Sequence, residues 1–97
     1  MSEKIVVERE FGISRGDFLR IFPRLAPTHQ QISEDEFHLE TEEYGRLLIR
    51  LSEQQYRQLG AFKIPYLNLI FEFEASNEHQ RAEFFGKFER YFQKGGG

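Results

Sequence analysis

Two stretches of strict apolar–polar alternation constrain this chain more than anything else in it. Phe37, Leu39 and Thr41 alternate with Glu36, His38, Glu40 and Glu42, and then Leu47, Ile49 and Leu51 with Arg46, Leu48 and Arg50. Further on, Leu67, Leu69, Phe71 and Phe73 alternate with Tyr66, Asn68, Ile70, Glu72 and Glu74. A period of two marks a strand with one buried face, so the fold must contain a sheet with a dry side and an open side. The first stretch predicts a hairpin. A three-residue loop, Glu43-Tyr44-Gly45, sets Phe37 against Leu51, Leu39 against Ile49 and Thr41 against Leu47. A loop one residue shorter or longer would pair core residues with charged ones. Gly45 also suits the left-handed position that such a loop ends on.

Two helices flank these strands. Lys4–Phe11 alternates as a first strand, and Gly12 breaks it. Ser14-Arg15-Gly16-Asp17 then has the form of a capping box, with Ile13 and Phe18 as its staple, ahead of Phe18, Ile21, Phe22 and Leu25 at helical spacing. Pro23 lacks the N–H that would bond to residue 19, so the helix is expected to end or kink there. At the other end, Ser76-Asn77 offers a cap and Glu78 suits the positive helix terminus. Ala82, Phe85, Phe88 and Phe92 form the stripe of this second helix, widened by Phe84 and Tyr91, with Lys94 in its last turn and Gly95 as the stop.

Two segments are open. Gln30–Ser33 either begins the Phe37 strand or forms a short one of its own, with Glu34-Asp35 as a bulge or turn. Ser52–Gly60 reads as a short helix capped by Ser52 and Gln55, or as a loop leading into a strand through Ala61–Ile64.

The expected fold class is therefore α+β: a mainly antiparallel sheet of four to five strands with both helices on one face, in the order β-α-β-β-(β or short α)-β-α. In element order alone it resembles half a TATA-binding-protein-like fold or a ferredoxin-like relative, which implies no function. With 97 residues the chain is one domain, expected over 1–94, with a flexible glycine tail at 95–97. Of the 11 phenylalanines, nine fall on inward positions, so the aromatic excess reads as core; Phe84 lies at the edge of a stripe and Phe62 has no assignment. The chain lacks cysteine, which removes disulfide scaffolds and thiol-ligated metals. No apolar run exceeds three residues, so neither a signal peptide nor a membrane span is visible, and a cytoplasmic location is expected.

The open face should carry Val6, Glu8, Glu10, Glu36, His38, Glu40, Glu42, Arg46, Leu48, Arg50, Tyr66, Asn68, Ile70, Glu72 and Glu74. Acids dominate it, while Arg15, Arg20 and Arg24 gather positive charge on the first helix. Such a face is either a solvated surface laced with weak ion pairs or a docking surface for a protein partner or a second copy. Candidate partner-binding residues are Arg50, Tyr66, Ile70, Leu48 and His38, because Tyr and Arg anchor interfaces and the others are the apolar or amphipathic islands.

Competing chemistries lack their residues. Nucleic-acid recognition on a sheet needs exposed aromatics among basic residues, whereas Phe71 and Phe73 point inward and their outward neighbours are glutamates. Glu36, His38 and Glu40 share a strand face with Glu34 and Asp35 nearby. Same-face side chains on one strand stand about 6–7 Å apart, so they do not converge on an ion. No nucleophile elbow, H-E-x-x-H or phosphate loop occurs, and Glu72 and Glu74 are hydrated neighbours with nothing to tune them. Arg15-Gly16-Asp17 spells an adhesion tripeptide but reads as a helix start. Gly95-Gly96-Gly97 resembles the end of a ubiquitin-like carrier. Those proteins, however, open on a hairpin and send the tail out after a strand, whereas here it follows a helix. No cofactor, metal, nucleic acid or membrane is expected. The sequence points to a non-catalytic module that binds a protein or itself through the open face; the alternative is a small-ligand or catalytic pocket between sheet and helices.

Overall fold

The computed structural model describes residues 4–92. Its elements are β1 (Lys4–Phe11), α1 (Arg15–Leu25), β2 (Gln30–Gln31), β3 (Glu36–Thr41), β4 (Gly45–Leu51), β5 (Gln55–Leu59), β6 (Phe62–Glu74) and α2 (Glu78–Phe92). The fold is α+β, with an antiparallel six-stranded sheet in the order β1-β6-β4-β3-β2 and β5 paired to β6 outside that path. The expected count of four to five strands is low by the two open segments. Gln30–Gln31 is a separate edge strand, and Gln55–Leu59 is a strand rather than a helix. The Ser52 capping box does not form because Ser52 Oγ is taken by the sheet: it accepts from the Asn68 N–H at 3.0 Å and donates to the Glu53 carbonyl at 2.8 Å.

The alternation places the core as expected. Phe37, Leu39, Leu47, Ile49, Leu67, Leu69, Phe71 and Phe73 are all buried under the two helices, which contribute Phe18, Phe22, Phe84, Phe85, Phe88 and Phe92. The rings interlock: Phe71 meets Phe88 edge-on at 5.3 Å, Phe88 stacks on Phe92 at 4.3 Å, and Phe18 stacks on Phe92 at 5.5 Å, joining α1 to α2. Each such pair adds about 0.5–1.5 kcal/mol beyond the area it buries. Arg9 falls on the core face of β1 and resolves the conflict by lying over the Phe85 ring at 4.1 Å and bonding to Glu89 at 3.2 Å.

Three local expectations are corrected. The β3–β4 register is displaced by two residues: Phe37 pairs with Ile49, Leu39 with Leu47 and Thr41 with Gly45, leaving 42–44 as the turn. A shift of two preserves both faces, and it frees Tyr44 to bury its ring edge-on against Phe84 at 5.4 Å. Gly45 keeps its left-handed role at φ 76°. Helix α1 runs through Pro23 to Leu25, because Pro23 is solvent-facing while Phe22 and Leu25 on either side of it are held in the core. On α2, Phe84 is fully buried at the centre of the stripe, whereas Ala82 and Tyr91 are exposed.

The caps follow the sequence. Ser14 Oγ accepts from the Asp17 N–H at 3.0 Å, while Asp17 turns its carboxylate to Arg20 at 2.9 Å, and that bond holds its pKa below the ordinary value. Asn77 and Gln80 form a reciprocal capping box on α2, with both bonds at 2.8 Å. The expected roles of Lys94 and of Gly95-Gly96-Gly97 lie outside the described residues.

Strand β6 positions the surface that matters next. Its residues 69–74 lie between β1 and β4, but β4 stops at Leu51 opposite Leu69 and β1 at Phe11 opposite Leu67. Residues 62–66 therefore pair with β5 alone, and the two strands project as an arm that gives the molecule a long dimension of 50 Å. Pro65 is tolerated because β6 has a partner on one side only at that point. Gly60, at φ 59°, takes the first place of the two-residue turn, as a type II′ hairpin requires.

Candidate functional site

The open face of the sheet is a lattice of cross-strand rows. Lys4, Glu74, Arg46 and Glu40 form one row; Val6, Glu72, Leu48 and His38 the next; Glu8, Ile70, Arg50 and Glu36 the third. The charges in these rows are paired. Arg46 lies 3.2 Å from Glu40 and 3.3 Å from Glu74, and Arg50 lies 3.4 Å from Glu72 and 3.9 Å from Glu36. Glu72 is the most enclosed carboxylate, with 14% of its side chain exposed, and Lys4 approaches it from the other side at 3.9 Å. The strong acidity expected of this face is reduced for three reasons. Lys4 shares the face, Glu42 leaves it for the turn, and Glu10 is engaged by Arg57 from the arm. Among the described residues Glu8 is the face carboxylate without an ion pair.

Four of the five candidate residues come together here. Arg50 and Ile70 are direct cross-strand partners, as are His38 and Leu48, and the two pairs sit in adjacent rows. His38 and Leu48 line a shallow depression of about 110 Å³ with Lys4, Arg46 and Glu72. Tyr66 stands apart, two outward positions along β6 from Ile70, at the foot of the arm. There Arg57 lies over its ring at 4.7 Å while reaching Glu10. Glu36, His38 and Glu40 share the face as expected, but both glutamates turn to arginines, and no group of three metal-ligating side chains converges among the described residues.

Sequence reasoning missed the arm. On one of its faces Leu59 pairs with Phe62, Arg57 with Ile64 and Gln55 with Tyr66. This face continues the open face of the sheet, because Phe62, Ile64, Tyr66, Asn68 and Ile70 are alternate residues of one strand. Phe62 is 73% exposed, and Leu59 and Ile64 are exposed beside it. The other face carries Tyr56 with Lys63 near its ring at 5.7 Å. The signal was present: the outward parity of Ile70, Asn68 and Tyr66 runs straight back to Ile64 and Phe62. Pro65 masked it by reading as a strand boundary.

The root of the arm is fixed to the body. Arg15 donates to the Ser52 carbonyl at 2.8 Å, the Glu34 carbonyl at 2.9 Å and the Asp35 carboxylate at 2.7 Å. Its backbone N–H donates to Gln54 Oε1 at 2.7 Å, and Gln54 Nε2 donates onward to the Tyr66 carbonyl at 3.2 Å. The tripeptide Arg15-Gly16-Asp17 is thus occupied in tying α1 to the point where β4 becomes β5.

The interior offers little to a ligand. Among the described residues no charged side chain is buried, Tyr44 is the buried side chain that carries a polar atom, and no buried side-chain polar atom lacks a partner. No helix there is long and apolar enough to cross a membrane. No protein-family model, curated protein or solved structure matches the chain.

Proposed function

We propose that this protein is a non-catalytic interaction module that binds a protein partner through the open sheet face and its continuation onto the β5–β6 arm. The observation that carries the reading is the row Phe62, Ile64, Tyr66 and Ile70 with Leu59 beside it, an apolar strip on one face of one strand with no helix over it. A two-stranded ribbon is marginal in water by itself, and apolar side chains on it are uncommon unless something covers them. Arg50 and Tyr66 supply the residue types that anchor interfaces, and the ion-paired rows supply a polar rim. The alternative, a pocket between sheet and helices, is disfavoured by an interior filled with phenylalanine rings and holding no buried charged group to orient a ligand.

Tyr66→Ala combined with Ile70→Ser is expected to leave folding nearly intact and to weaken association, read by sedimentation and by pull-down. Unchanged association in both would show that the surface has been misplaced.

A further inference from the structure

We infer that the outer edge of β1 is the pairing site for a second copy of the chain. The two β1 strands join antiparallel, so that both sheets become one. The inference is independent of the reading of face and arm as a contact surface and uses a different part of the molecule.

The backbone directions follow from the register. Strand β1 ends the sheet and pairs with β6 alone. The Ser52 N–H donates to the Asn68 carbonyl at 3.0 Å, so Asn68 and alternate residues of β6 turn their backbone groups toward β4. Leu67, Leu69, Phe71 and Phe73 therefore turn theirs toward β1, where they meet Phe11, Arg9, Val7 and Ile5. The N–H and carbonyl groups of Lys4, Val6, Glu8 and Glu10 are left pointing out of the sheet, with no backbone partner among the described residues. An eight-residue edge without bulge or proline is a template for another strand.

The side chains select which strand. A row of alternating sign crosses the open face from Glu40 through Arg46 and Glu74 to Lys4, and it stops at this edge on a cation. The next place in that row calls for a carboxylate. Glu8, one turnover of the pleat beyond Val6 on the same strand, is the face carboxylate without an ion pair among the described residues. A half turn about an axis through the Val6 position, perpendicular to the sheet, sets the second copy's Glu8 beside Lys4 and its Lys4 beside Glu8. Val6, which is 57% exposed, then faces Val6. On the helix side Ile5 meets Val7 in both directions, and each is only half-buried within one copy. An isologous contact needs a patch that matches its own rotated image, and this segment does.

About six backbone hydrogen bonds close over a paired length of about 17 Å. Moving the register by two residues spoils the match. One shift sets Val6 against Glu8, Ile5 against Arg9 and Lys4 against Glu10, which Arg57 already holds. The other leaves only the segment from Lys4 to Val6 paired. Charge on an edge strand ordinarily guards it against pairing; here it rejects the other registers and admits this one. The contact is small beside a standard interface, so the dimer is weak and reversible.

Sedimentation equilibrium at concentrations up to about 1 mM tests this, with a dissociation constant on the order of 100 µM expected. Val6→Pro removes an outward N–H that β6 does not use, so it should abolish the dimer while circular dichroism stays unchanged. Lys4→Glu and Glu8→Lys, each alone, set like charges opposite each other twice and should raise the constant at least about tenfold. Mixed in equal amounts, these two variants restore both opposite-charge pairs and should form a heterodimer of the unmodified strength. A monomer at every concentration overturns the proposal, as does a dimer that survives Val6→Pro, or charge variants that fail to rescue each other. Tyr66→Ala with Ile70→Ser should leave this dimer intact. A dimer lost in that variant lies on the face and arm, and edge pairing falls. A dimer kept there and lost in Val6→Pro supports the edge, whatever becomes of the face.

Discussion

The two hairpins of this chain are built alike and end up in opposite environments. Each is antiparallel, with a positive-φ glycine in its turn or directly after it, and with apolar residues alternating in both strands of β3–β4 and along β6 in the other. In β3–β4 those residues lie under α1 and α2, and the turn itself is tied down: Tyr44 packs on Phe84, and Gln80 donates to the Glu42 carbonyl at 3.2 Å. In β5–β6 no helix lies beneath, and the same residue types face water. Strand β6 contains both outcomes, with Phe71 fully buried and Phe62 largely exposed nine residues earlier. Apolar character therefore does not decide burial here. What decides it is the face: Phe71 lies on the side of β6 that the helices cover, and Phe62 has the parity of the open side.

The sharpest break of this comparison is truncation of one phenylalanine in each half of β6. Phe71→Ala leaves a cavity among Phe84, Phe85 and Phe88 and should cost about 3–5 kcal/mol in denaturant unfolding. The glycines come next. A Cβ on Gly45 would stand 2.7 Å from the Ala75 carbonyl oxygen, whereas one on Gly60 would meet nothing within 4 Å. Both alanines are strained by their positive φ, so Gly60→Ala should cost about 1 kcal/mol and Gly45→Ala about 2–3 kcal/mol, read as shifts in midpoint.

The buried turn should also respond to alkali. Burial, and secondly the neighbouring Glu43, push the Tyr44 hydroxyl up to about 12. Because the folded state holds the proton more tightly than the unfolded state, this stability is intact below about pH 10 and is lost as pH rises through 12, on the order of 2 kcal/mol in all. Tyr44→Phe should flatten that alkaline decline; an unchanged slope would place the hydroxyl in water. Smallest of all, Phe62→Ala should move stability by less than about 0.5 kcal/mol, as at other exposed positions. A larger loss would mean that the Phe62 ring itself is packed in the folded chain.

The sequence was most informative where one face of a strand is dry. Period-two patterning named the inward residues of β3, β4 and β6, and the α2 cap was legible in Asn77. Patterning could not separate two β3–β4 registers that differ by two residues, since both keep the same faces inward. The choice fell to Tyr44, whose partner Phe84 is forty residues away and invisible to local reasoning. Pro23 and Pro65 both misled for one reason. A proline is read as a boundary, yet each stands where its missing N–H costs little, on a solvent-facing helix side and on a half-paired strand. Of the surface, Arg50, Ile70, Leu48 and His38 were found by parity. Leu59, Phe62 and Ile64 were not, because their strand was ended too early.

The central place of β6 also bears on the order of events during synthesis. Its neighbours β1 and β4 are joined to each other only through it, and its pairing with β1 reaches from Lys4 to Glu74. The β3–β4 hairpin can close locally as it emerges, but β1 has nothing to pair with until three-quarters of the chain is made. Non-local closures of this kind are the slow ones. Ile5 and Val7 must wait in an unpaired, β-prone segment meanwhile, and the charges at Lys4, Glu8, Arg9 and Glu10 around them are what keep a nascent chain of this design from pairing with its neighbours too soon.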